Sequence, residues 1–311
     1  MQATITGWPG GKPNEDDSQR PERAVPAKKR SLIFSPHPDD DVISMGGTFI
    51  RLVDQGHEVH VAYQTSGNTA VWDDDVLRYV EFSIDFNKSL GKDTSDLETV
   101  YKQMTQFLET KQPNEIDTIE IRNVKGYIRK SEAIAGARYA GLKDERIHFM
   151  ALPFYESGKT TKNSVTDLDI NQTIALLQEI KPHQIFAAGD FADPHGTHIV
   201  CFKIILEALK RLKETESWVQ DCWLWMYRGA WHEFESHEIE MAVPLSPNEV
   251  ERKRQAIFKH QSQKDKPVFP GDDNREFWVR AAERNRETAK KYDQLGLADY
   301  EAMEAFVRYK F

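Results

Sequence analysis

Between residues 31 and 63 the chain alternates a short apolar run, an amphipathic stretch and a second apolar run. No other feature restricts its fold as tightly. Ser-Leu-Ile-Phe-Ser at 31–35 is stopped by Pro36 and predicts a buried strand. The stretch 46–53 predicts a helix that ends at Gly56, and Glu-Val-His-Val-Ala-Tyr at 58–63 predicts the next strand. Strand, helix and strand within about 30 residues make a βαβ unit, whose crossover is right-handed.

The alternation returns further along. Helices are predicted at 131–142, 168–180 and 197–212, and strands at 147–150, 184–188, 222–227 and 239–243. Ser246-Pro247-Asn248-Glu249 is a capping box with proline at the first helical position, opening a helix to about 263. Helical spacing recurs near 274–293 and 298–308. The expected fold class is α/β: a Rossmann-like, mostly parallel sheet with helices on both faces. To this are added a helical insertion at 68–125 and a helical C-terminal extension at 266–311. In the insertion Leu97, Val100, Met104, Phe107 and Leu108 share one helix face. Residues 31–265 form the expected catalytic unit. Residues 1–30, rich in proline, glycine and charge, read as a linker or arm.

Composition excludes several functions. The formal net charge is -9 with no basic stripe, which argues against nucleic acid, bound mainly through Lys and Arg. No apolar run approaches the roughly 20 residues of a membrane span. The N-terminus lacks a signal-peptide pattern, so the expected location is cytoplasmic. Cys201 and Cys222 form neither a disulfide framework nor a CxxC knuckle.

In a parallel sheet, ligands bind beyond the carboxyl ends of the strands. Ser35-Pro36-His37-Pro38-Asp39-Asp40-Asp41 follows the first strand, and Asp190-Phe191-Ala192-Asp193-Pro194-His195-Gly196-Thr197-His198 follows the strand at 184–188. His195 and His198 stand three apart at a helix start and can share a face. Two histidines and an aspartate with an open position make a catalytic zinc set. Three adjacent aspartates packed closely need a cation to offset their repulsion. Either stretch alone also reads as a polar turn or a helix start; their placement at two strand ends favours a metal site.

These residues resemble the PIG-L/LmbE-type zinc-dependent de-N-acetylases, which act on N-acetylglucosamine derivatives. The likeness rests on His37-Pro38-Asp39-Asp40 and His195-x-x-His198. It extends to Thr65-x-Gly67, Arg129-x-x-Glu132 with Ala133, Ala137 and Gly141-Leu142, and Lys253, Ala256 and His260-Gln261-Ser262-Gln263. It implies one Zn2+ per chain held by His37, Asp40 and His198, with Asp39 as general base. His195 would stabilise the oxyanion or protonate the leaving amine. Arg129 and His260 are candidate substrate contacts in their own right, with a solvated helix face and a surface position as the competing readings. Three positions depart from the family pattern: Pro36 for alanine, Asp41 for glutamate and Thr197 for aspartate. Asp41 is expected behind the ligands, and Asp193 or Asp190 to support a histidine in place of the missing aspartate.

The arm, with Trp8-Pro9-Gly10-Gly11, is similar to the junction in bacterial fusions where a glucosamine-6-phosphate deaminase-like domain precedes an LmbE-like one. The resemblance therefore implies a carbohydrate deacetylase acting on a small-molecule amino sugar that can carry a 6-phosphate. The competing functions are a metal hydrolase of another amide or a phosphoester, and a non-catalytic metal-binding module. Trp223, Trp225 and Trp231 are candidate ring-stacking or core residues. The charged C-terminal stretch offers a face for a second subunit in a homo-oligomer, or for a deaminase-like domain.

Overall fold

Apolar runs set off by prolines and glycines become strands here, and the amphipathic stretches between them become helices. The computed structural model describes residues 4–5, 28–113, 115–158, 162–265 and 267–311. A two-residue strand β1 (Thr4–Ile5) is followed by β2 (Arg30–Ser35), α1 (Asp40–Asp54) and β3 (Glu58–Tyr63). Helices α2 (Asp73–Ser89), α3 (Ser95–Thr110) and α4 (Ile119–Tyr139) lead to β4 (Ile147–Phe149). Next come α5 (Asp167–Ile180), β5 (Gln184–Ala188), α6 (Thr197–Lys213), β6 (Trp223–Tyr227) and β7 (Met241–Leu245). The chain closes with α7 (Pro247–Ile257), α8 (Gln261–Lys264), α9 (Phe277–Gln294) and β8 (Ala302–Tyr309).

The strands form one sheet in the order β1-β7-β8-β6-β5-β2-β3-β4. Among the described residues every pairing is parallel except the two made by β8. Strand β2 shows why the sheet is covered on both sides. Leu32 and Phe34 join one core with Leu177, Ile205 and Leu209 of α5 and α6. Ile33, between them, joins the other with Val42, Phe49, Ala137 and Ala256 of α1, α4 and α7. Alternate side chains leave a strand on opposite faces, so a strand buried on both reads as a continuous apolar run. Each such buried side chain contributes about 1.5–3 kcal/mol.

Winding reverses at β2. From it the chain builds outward to β3 and β4, then returns to add β5 and β6 on the other side. The loops after β2 and β5 therefore flank one crevice, where ligands of such sheets bind. Helix α1 is held close to the sheet by small residues. A Cβ on Gly47 would lie 2.6 Å from Leu245 Cδ1. Beside it, Glu304 of β8 is buried and accepts from the Gly47 and Thr48 amides at 2.9 and 2.6 Å and from Lys253 Nζ at 2.7 Å.

The α/β class and the helical insertion agree with the sequence. Helices α2 and α3 and the start of α4 share a small core of Val76, Val80, Ile84, Met104 and Ile121. Four details differ. Helix α1 begins at Asp40 rather than residue 46, because its first turn carries acidic residues, which suit a helix N-terminus. Helix α4 begins inside the insertion, at Ile119. The helix expected to reach 263 breaks after Ile257 and resumes as α8. The stretch near 298–308 is a strand, so the extension is not wholly helical. Met303 and Phe306 are fully buried, and β8 pairs with β6 and β7. Of the arm, β1 pairs with β7 and Arg30 opens β2, while residues 1–3 and 6–27 lie outside the described residues.

Removing one partner of a buried ion pair leaves the other charge uncompensated, at about 3–5 kcal/mol. Glu304→Ala should therefore lower unfolding stability by about that much in denaturant titration, through the midpoint rather than the slope.

Candidate metal centre

The turn after β2 is built to aim side chains. Ser35 Oγ accepts from the Asp41 amide at 3.1 Å and donates to the His37 carbonyl at 2.5 Å, closing the loop on itself. Thr65 Oγ1 donates to the Pro36 carbonyl at 2.7 Å. Gly67, at φ 63°, passes so close that a Cβ there would meet Pro38 Cδ at 2.8 Å. Only glycine adopts that backbone without strain.

The loop brings Asp40 between two imidazoles. Its Oδ2 accepts from the His37 amide at 2.8 Å and lies 3.1 Å from His37 Nδ1 and 3.2 Å from His198 Nε2. The two ring nitrogens are 3.3 Å apart. Helix α6 supplies His198 at its N-terminus, where Asp193 accepts from the Thr197 and His198 amides at 2.7 and 3.2 Å. His198 Nδ1 lies 2.8 Å from the Asp190 carbonyl, which can only accept, so Nδ1 carries a proton and Nε2 is the ring nitrogen turned toward Asp40 and His37. Donor atoms of His37, Asp40 and His198 all fall within 4.8 Å of one another.

The electrostatics ask for a positive charge at that point. Burial works against the ionised Asp40, yet His198 and His37 hold its carboxylate well below the usual range. Burial likewise opposes a charged His198, but Asp40 prevails and raises its pKa to about 10. The negative charge that holds a proton on His198 would also attract a cation, which has to displace that proton. The donor set, two nitrogens and a carboxylate oxygen, is that of an open zinc site.

Around this point lies a cavity lined by His37, Asp39, Asp40, Arg129, His195 and, from loops, Tyr155, Lys162, Trp231 and Phe269, with Gln263 of α8 and Phe277 at the start of α9. Asp39 is 5% exposed, with Oδ1 3.1 Å from Arg129 Nη2. Burial raises its pKa, against the pull of Arg129. Arg129 is 1% exposed, and its Nε and Nη1 find no partner among the described residues. His195 stands edge-on to Phe269 at 4.4 Å, with Nε2 buried and likewise without a partner. Burial, Lys162 and His37 lower its pKa. Burial lowers Lys162 to about 8, against Glu156 and Asp193.

Most residues expected from the sequence meet here, Asp193 among them, but one holds another position. His260 does not line the cavity. It is 1% exposed, lies against Gly136, and is kept neutral by burial and Arg129, its pKa lowered to about 3. Asp193 spends its oxygens on the amides at the start of α6, so it positions His198 through the backbone. Asp41 does stand behind the ligands: Tyr63 Oη donates to its Oδ2 at 3.0 Å, and burial raises it to about 7. Of the flagged tryptophans, Trp231 reaches the cavity, while Trp225 is buried in the core. Trp223 is exposed beneath Arg308. Tyr155, Lys162, Phe269 and Phe277 were not foreseen; they sit in or beside loops, where periodicity gives no signal.

A family model described as PIG-L, GlcNAc-PI de-N-acetylase, matches residues 32–209. A Bacteroides thetaiotaomicron protein named glucosamine-6-phosphate deaminase-like is 55% identical over 312 residues. That match takes in 99% of this chain and 47% of the other, so the chain spans about half the length of the curated relative. Among solved structures, N,N'-diacetylchitobiose deacetylase from Pyrococcus horikoshii has a TM-score of 0.53 at 19% identity, covering 94% of this chain and 86% of that one. A 4-carboxy-2-hydroxymuconate hydratase from Pseudomonas putida has a TM-score of 0.55 at 13% identity, covering 91% and 97%. These likenesses are of fold; since a deacetylase and a hydratase share it, the chemistry rests on the site.

A ligand that binds only the folded chain stabilises it by about 2.7 kcal/mol at a hundred times its Kd. Zinc should raise the melting temperature of the wild-type protein. His198→Ala should remove most of that rise, as read by thermal unfolding with and without zinc.

Proposed function

This chain belongs to the PIG-L family, and we propose that it is a zinc-dependent hydrolase removing the N-acetyl group from an N-acetylglucosamine-type sugar. The observation that carries this reading is the convergence of three lone-pair donors beside a buried carboxylate, with unpartnered Arg129 and His195 nitrogens on the same cavity.

Zinc held by His37, Asp40 and His198 would polarise the scissile carbonyl and acidify the attacking water. Asp39 takes the proton as water adds to the carbonyl carbon. Its raised pKa brings it nearer the working pH of a general base. Arg129 holds Asp39 through Nη2 and keeps two donors for substrate oxygens. His195, kept neutral at pH 7 by its lowered pKa, suits hydrogen-bond donation to the developing oxyanion from Nε2. Asp39 then returns its proton to the departing amine, giving acetate and a free amino sugar. His195 needs no aspartate at 197 for this role, because a neutral donor requires no counter-charge. Trp231, Phe269 and Phe277 offer apolar faces to the sugar ring and acetyl methyl. Lys162 on the same cavity supports a substrate that carries a phosphate, as a 6-phosphate would.

A general base contributes about 10²- to 10⁴-fold to rate. Asp39→Asn should keep the metal and lose kcat by that order, measured as acetate release from N-acetylglucosamine and its 6-phosphate. Full activity in this variant would contradict the mechanism. Turnover only of other amides or phosphoesters would move the substrate class, and bound metal with no turnover would mark a binding module.

A further inference from the structure

Away from the cavity, two imidazoles meet at the edge of the sheet. Strand β4 is the edge strand, and its His148 is paired in register with Ala62 of β3. His60, two residues earlier, shares that face and lies diagonal to it. His60 Nδ1 and His148 Nε2 are 3.0 Å apart, with ring centroids 5.3 Å apart and planes at 24°. On the far side of His60, Nε2 lies 3.4 Å from Glu58 Oε1. The charge of Glu179, near the end of α5, reaches both rings. Neither histidine lines the catalytic cavity.

We propose that His60 and His148 form a second metal site, taking a divalent cation that favours imidazole, such as zinc, nickel or copper(II). Two nitrogens on one tetrahedral zinc stand about 3.3 Å apart, given Zn–N distances near 2.0–2.1 Å. The pair already holds close to that spacing. Glu58 accepts the Nε2 proton of His60 and so leaves the Nδ1 lone pair facing His148, an arrangement that orients metal-binding histidines elsewhere. The cation replaces the single hydrogen now shared between the rings, and His148 carries its proton on Nδ1 instead. Burial lowers the pKa of both rings, so no protonation competes at neutral pH. Water is available for the remaining positions. Such an ion ties the edge strand β4 to β3, and imidazole donors select zinc, nickel or copper over magnesium or calcium.

The test is zinc content per chain after equilibration at fixed free zinc, for the full chain and for His148→Gln. The wild type should hold one zinc more than the variant, and both should hydrolyse substrate at the same rate. Glu58→Gln, which leaves both rings in place, should weaken this zinc about 10- to 100-fold. Equal zinc content and affinity in wild type, His148→Gln and Glu58→Gln would overturn the proposal. The comparison is independent of the catalytic reading, since it counts one ion lost whatever the other site holds.

Discussion

Asp40 is wedged between two imidazoles, and much of the molecule exists to keep it there. A buried carboxylate is costly unless positive charge or hydrogen bonds meet it. Here His37 and His198 meet it, each held from behind. His37 is fixed through the turn that Ser35 and Thr65 close, and His198 through the Asp190 carbonyl and the Asp193 cap. The three donors come from two loops more than 150 residues apart in sequence, and the reversal of winding between β2 and β5 is what makes them neighbours.

Division of labour among adjacent aspartates follows from direction alone. Asp39 caps helix α1 and faces the cavity and Arg129. Asp40 opens the helix and faces the imidazoles. Asp41, one step further round, turns inward to Tyr63. A helix turns about 100° per residue, so three neighbours point three ways. Like charges so close would repel strongly in a turn exposed on one side; here each has a different partner, and burial shifts each pKa in a different measure.

How much of this was legible depends on whether local pattern or tertiary context decides. Strands β2, β3 and β5 were plain because central parallel strands are short, largely apolar runs, ended at β2 by Pro36 and at β5 by Gly189 and preceded at β3 by Gly56. His37, Asp39, Asp40, His195 and His198 were plain because they follow those strands. Strand β8 was not, since Met303, Phe306 and Val307 satisfy helical spacing, whereas the strand sends Met303 and Val307 to one face and Phe306 to the other. What decides is the gap between β6 and β7 that it fills, together with Glu304's bond to Lys253, and neither is visible locally. The burial of His260 against Gly136 is hidden for a related reason, since it is a property of packing. Tyr155 and Phe269 reach the cavity from loops whose course is set by distant contacts.

Donor atoms of His37, Asp40 and His198 converge on one point, where the proposed zinc would sit. Anomalous scattering at the zinc edge, from crystals grown with zinc, tests it most directly. The account predicts a strong peak bounded by His37 Nδ1, Asp40 Oδ2 and His198 Nε2, at about 2.0–2.2 Å from each donor. Crystals with no peak at that point under saturating zinc, or with His198 turned away from Asp40, would contradict it.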